Sequence, residues 1–202
     1  MNSTAFSKLA GLLAMLAGVA GFLYAVSFII IARSSPDLGA ELSGLFLLIG
    51  GLLSSAALVA LYKHLEGTDS AFALWALVLS VIGALGGAIH GGYDLANGLN
   101  PPASNVPNLA GLPSQVDPRG LLTFGVAGIG VLVFSWLISN SGTFPKNFGY
   151  LGYVLGVLLI VIYLGRLVIL DATSAVIVVP ALLTGFVINP VWYIWLGVEL
   201  RR

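Results

Sequence analysis

AFALWALVLSVIGALGGAIHGGYDL, residues 71–95, is the stretch whose reading decides the fold. It runs for twenty-five residues with no Lys, Arg or Glu, and its one carboxylate and one histidine fall in the last six positions. As an α-helix rising 1.5 Å per residue it reaches about 37 Å, enough to cross roughly 30 Å of hydrocarbon. Inside lipid the backbone must satisfy its own hydrogen bonds, which leaves helices or a closed barrel. A barrel strand alternates apolar and polar residues over about ten positions. This run is continuously apolar, so it reads as a transmembrane helix.

Working outward, five further runs of the same kind appear. The expected spans are about 9–32, 42–62, 71–95, 121–139, 150–170 and 173–198. The first is closed by RSSPD and the second by KHLEGTDS, both rich in helix-ending signals. The chain as a whole is 58% hydrophobic and 8% charged, where soluble domains carry about 25% charge. The expectation is an all-α polytopic membrane protein, with residues 1–202 as one domain of six transmembrane helices. The apolar run after Lys8 exceeds the roughly 7–15 residues of a signal-peptide core, so the first span is expected to be retained.

Charge sets an expected orientation. Lys8, Lys63, Lys146, Arg201 and Arg202 gather at one end of the spans, against Arg33, Arg119 and Arg166 at the other. The more basic side is normally cytoplasmic, which predicts both termini inside. Tyr62, Tyr150, Trp192, Tyr193 and Trp195 agree, as an aromatic belt at the inner interface. The long connection 97–118, with Pro101, Pro102, Pro107, Pro113 and Pro118, then lies outside. It either folds over the bundle mouth or forms a mobile surface loop. Net charge is zero with no basic block, which argues against nucleic acid as a partner. The absence of cysteine excludes disulfides, iron–sulfur clusters and cysteine nucleophiles.

The segment GGAIHGGYDLANG, residues 86–98, carries the polar exception. His90, Asp94 and Asn97 share one helix face, with Gly83, Gly87 and Gly91 on or beside it. Ile89 and Leu85 fall on other faces. Small residues favour close helix approach, and ionisable groups in a span face the bundle interior. The polar set at this end also includes Asp117, Arg119, Arg166 and Asp171, and an Asp94–Arg166 ion pair is the expected first contact. Three readings stay open. The residues snorkel or lock helices together; they form an outward-facing pocket for a small solute, an ion or protons; or His90 is the axial ligand of a haem or chlorophyll-type pigment. His64, in YKHLEG, reads as an interfacial histidine. No HExxH, GxSxG or P-loop is present, so neither a metal site nor a catalytic residue is expected. In the sixth span Pro180 and Pro190 interrupt the helix, with Asn189 beside the second as the expected kink.

Three stretches carry a resemblance: FPKNFGYLGYVLGVLL (144–159), WYIWLGVELRR (192–202) and LVALYKHLEG (58–67). They resemble an uncharacterised family of small six-span bacterial membrane proteins, known as a domain of unknown function. The resemblance implies a bacterial inner (cytoplasmic) membrane protein and transfers no activity or site. The leading expectation is a non-enzymatic accessory or structural subunit acting through helix contacts with other membrane subunits or a homo-oligomer. Its lipid-facing small-residue surface would be Gly11, Gly18 and Gly21, or Gly149, Gly152 and Gly156. The rival is a small-solute or proton-coupled carrier using His90, Asp94 and Arg166, with Pro190 as a hinge.

Overall fold

The computed structural model describes residues 5–100, 116–171 and 173–202. Among the described residues, six helices are long and apolar enough to cross a membrane. They are α1 (Ala5–Ser34), α2 (Pro36–Leu65), α3 (Ser70–Leu99), α4 (Pro118–Ser141), α5 (Lys146–Val168) and α6 (Ala175–Arg201). Most outrun the apolar stretches read from sequence, because capping extends helices into the interface. Asp69 accepts a hydrogen bond from the Phe72 N–H at 3.0 Å and so caps α3. Gly142, at φ +68°, takes the left-handed conformation that ends α4. The fifth and sixth spans depart the other way: α5 stops at Val168 and α6 starts at Ala175, with Leu170 at φ +60° turning the chain between them. Most of the long Pro-rich connection, residues 101–115, lies outside the described residues.

Each helix packs on the next in sequence, and α6 returns to α1, closing a ring. Short connections impose antiparallel neighbours, so both termini lie at one end, here the terminal end. His90, Asp117 and Arg166 lie at the other, the loop end. Large apolar side chains such as Leu74, Val78, Ile89, Val154, Val157 and Val168 point outward and stay exposed, as lipid-facing positions do.

The two halves of the ring are filled differently. At the terminal end, aromatic rings form a solid plug. Phe148 and Trp192 are fully buried and stacked with centroids 5.3 Å apart, and Trp195 lies 5.6 Å from Phe148. Leu58, Leu61, Phe134, Leu137 and Leu196 fill around them. Small residues bring the backbones together here: a Cβ on Gly18 would stand 2.9 Å from the Pro190 carbonyl, and one on Gly128 3.0 Å from the Gly156 carbonyl. The small-residue faces expected to meet lipid are therefore spent inside the chain. Gly11 and Gly18 sit against α6, Gly149 and Gly152 against Ser139 and Ser135 of α4, and Gly156 against Gly128, while Gly21 faces Asn189. The reason is geometric: small residues pack wherever two long helices cross, and α1 and α5 cross their own neighbours first.

Candidate functional site: a cup in the loop half of the bundle

Toward the loop end the ring is not filled. A cavity of about 580 Å³ opens there, lined by residues from all six helices. Its walls are mainly apolar, built from Gly, Ala, Leu and Phe. The physical origin is visible in the sequence positions: Gly50, Gly51, Gly83, Ala84 and Gly87 line it, and two of these are small without a close helix crossing to require it. A Cβ on Gly50 would meet only Ala20, at 3.6 Å, and one on Gly87 only Leu47 and Thr123, at 3.6 Å and beyond.

Three of the spans change pitch where they border this space. Val26–Ile31 in α1, Leu121–Val126 in α4 and Thr184–Ile188 in α6 are π-helical turns. Each contributes lining residues: Phe28 and Ile29, Thr123 and Phe124, Thr184 and Gly185. Wider π turns recur at functional sites because they re-aim side chains and loosen the backbone ladder. In α6 the π turn directly precedes Asn189 and Pro190, and the helix continues through both.

Polar groups punctuate the apolar wall. Ser54 and Tyr193 face one another near the floor. Ser80 and Thr184 are buried and line the cavity, and their hydroxyls have no hydrogen-bond partner among the described residues. A buried hydroxyl left so costs roughly 1–3 kcal/mol relative to a satisfied one. Arg33 and Arg166 line the cavity toward the loop end, together with Tyr24.

His90 lies beside the cavity rather than in it. Its Nε2 is 3.2 Å from Oδ2 of Asp94, one turn on along α3, and its Nδ1 is 3.5 Å from Oδ2 of Asp117. The second approach is too long and misaligned for a hydrogen bond. Asp117 is fully buried and caps α4: it accepts from the N–H of Leu122 at 2.7 Å, the N–H of Thr123 at 3.1 Å and the Thr123 hydroxyl at 2.6 Å. The left-handed pair Arg119 (φ 59°) and Gly120 (φ 80°) lets the chain double back so that the carboxylate reaches these donors. Burial by itself pushes the Asp117 carboxyl up, but His90 beside it, the Thr123 hydroxyl and the two N–H groups outweigh that and hold it at about 2.

The sequence-selected residues thus separate. The expected Asp94–Arg166 pair is not formed. Asp94 turns to His90, and Arg166 makes no ion pair among the described residues, its guanidinium lying 5.4 Å from the centre of the Phe124 ring. A histidine one turn away on the same helix meets Asp94 without any tertiary adjustment, whereas Arg166 must reach across from α5. Arg166 and Asn189 line the cavity, and His90, Asp94, Asn97, Arg119 and Asp171 do not. Asn97 is half-buried in the last turns of α3. Asp171 is exposed in the α5–α6 turn, where the hydroxyl and N–H of Thr173 hold its carboxyl below the usual range. His64, at the terminal end, has its Nδ1 2.8 Å from the Ala60 carbonyl oxygen. Among the described residues no three His, Cys, Asp or Glu side chains converge to hold a metal.

Sequence reasoning missed most of the lining. Tyr24, Ser54, Ser80, Thr123, Thr184 and Tyr193 are hydroxyl-bearing residues inside apolar runs. One signal was available: Ser80 continues the Gly83–Gly87 stripe toward the middle of α3 at helical spacing. No family model, curated protein or solved structure matches the chain.

Proposed function

We propose that this protein is a membrane-embedded binding protein of the carrier type, which takes a small molecule into the cup in the loop half of its helix bundle. The observation that carries this reading is the cavity itself. At about 580 Å³ it falls within the roughly 300–1,000 Å³ of small-molecule sites, and like them it is apolar with a few placed polar groups. The placed polar groups are Ser54 and Tyr193 deep in the cavity and Arg33 and Arg166 toward the loop end. The solid aromatic plug at the other end closes the cup, so passage to the opposite face requires α6 to move against Phe148 and Leu58. The π turn before Pro190 is the place where α6 can bend.

The competing accessory-subunit reading is separated by one experiment. The protein is extracted gently from its native membrane and its intact mass and absorption spectrum are recorded, alongside a Gly87→Leu variant, whose Cβ points at Leu47 and Thr123 on the cavity wall. A small-molecule adduct on the parent chain, missing from the variant at unchanged melting temperature, supports binding in the cup. Stoichiometric larger subunits with no adduct overturn it, and visible absorbance returns His90 to consideration as a pigment ligand.

A further inference from the structure

The charge census of the cavity is one-sided. Arg33 and Arg166 line it, and among the described residues no Asp, Glu, Lys or His does. Neither arginine forms an ion pair within 4.0 Å among the described residues, although carboxylates are near. Asp94 is turned to His90, Asp117 caps α4, and Asp37 and Glu41 stand in the first two turns of α2. Arg166 instead lies over the Phe124 ring, and Tyr24 feels the charges of both Arg166 and Asp94. Two arginines therefore stand at the loop end of a mainly apolar space, Arg33 exposed and Arg166 half-buried, with no counter-charge on its wall among the described residues.

The cavity also has a side opening. Toward the terminal end α1 and α6 are locked together, through Gly18 against Pro190 and, further along, Phe22 against Phe186 with ring centroids 5.8 Å apart. Beyond Ala25, which meets Gly185, they diverge. The first part of α6, Ala175–Leu183, packs closely on α5 and not on the end of α1. Phe28 and Ile29 on one side and Val178 and Leu182 on the other still line the same cavity, and Phe28 is 60% exposed. The gap between them faces lipid. Below the arginines the apolar space is deep: from Arg166 to Leu155, both lining residues, α5 descends about 16 Å.

We propose that the ligand of the cup is an anionic amphiphile entering from the bilayer between α1 and α6, with its acidic head on Arg33 and Arg166 and its hydrocarbon chain in the glycine-lined depth of the cavity. This rests on the binding reading above and specifies the ligand class. A guanidinium gives an acidic head charge-assisted hydrogen bonds at the mouth of the cavity, and the apolar wall below accepts a chain but no second charge. A neutral chain of the same length lacks the head contact, and a cationic one is repelled by both arginines.

The test uses the full chain in an uncharged detergent, with dodecanoate, dodecanol and dodecylammonium as probes of one tail and three charges. Phosphatidylglycerol against phosphatidylcholine tells a membrane lipid from a free acid. Binding is read by intact-complex mass and by ligand-induced melting shift. The expected result is one anionic probe per chain, held about tenfold or more tighter than its neutral counterpart. That preference is lost in the Arg33→Gln/Arg166→Gln double variant and kept in the Arg→Lys pair. Equal binding of charged and neutral probes, or an unaltered double variant, overturns the assignment and leaves the arginines as interfacial anchors. If the Gly87→Leu variant binds every probe as the parent does, the cup itself is not the binding site and the broader reading fails.

Discussion

Replacing Asp117 with Ala tests whether the cluster at the loop end is structural. The carboxylate is fully buried and receives the N–H groups of Leu122 and Thr123 and the Thr123 hydroxyl at 2.6–3.1 Å. Loss of a helix N-cap costs about 1 kcal/mol. Leaving buried donors without an acceptor adds on the order of 1–3 kcal/mol. The sum is about 2–4 kcal/mol. For a chain of this length each kcal/mol moves the melting temperature by roughly 2–4 °C, so Asp117→Ala should melt roughly 5–15 °C below the parent in the same detergent. Asp117→Asn, which keeps an acceptor oxygen but not the charge, should fall in between. The pH dependence has a fixed sign. The folded carboxyl is the stronger acid, so its contribution is present above about pH 4 and is lost as pH falls through about 2. The gap between parent and Asp117→Asn should therefore close on acidification. An Asp117→Ala protein that melts within a degree of the parent, or a gap that widens in acid, would refute this account of the α4 cap.

Three further outcomes follow from particular contacts. Gly91→Ala places a Cβ 2.6 Å from the Leu48 nitrogen and 2.9 Å from the Leu47 Cβ, forcing α2 and α3 apart, and should cost about 1–3 kcal/mol in detergent unfolding; Gly67→Ala, with open space around it, should cost nothing by the same measurement. Phe148→Ala removes the ring stacked on Trp192 in the plug and should cost about 3–5 kcal/mol, seen as a lower melting temperature and as quicker digestion by protease. Ser80→Ala deletes a buried hydroxyl without a partner, so the ligand-free protein should melt at the parent's temperature or slightly above; a clear drop would reveal a hydrogen bond there.

How far the sequence reached depends on which interactions are local. The six spans were legible because a run of about twenty apolar residues has one stable solution in lipid. The outward faces of α3, at Leu85 and Ile89, followed from helical spacing alone. The same spacing carries the contact of His90 with Asp94, since residues one turn apart on a helix meet wherever the helix is put, although Asp94 was expected to pair first with Arg166. The DPRG signal that opens α4 names a capping aspartate by the same local logic, although Asp117 was read there only as one of a polar set.

Partner choice between helices belonged to the tertiary structure. From sequence, the glycines of α1 and α5 could equally have met lipid, another subunit or the chain's own helices, because a small residue marks close approach without saying to what. The fold spends Gly11, Gly18, Gly149, Gly152 and Gly156 on crossings inside the chain, and it leaves Gly50 and Gly87 on the cavity wall with room for a Cβ at ordinary contact distance. Likewise Arg166 was visible as a charge in a span, but whether it met Asp94 or the cavity depended on how α5 and α3 are set across the ring. The sequence by itself determined that the chain crosses the membrane six times, because burying the backbone in lipid is a local requirement. Only the packing of the ring decided that bulky side chains fill one half and small ones leave a cup in the other, because a cavity is the difference between the volumes of residues far apart in the chain.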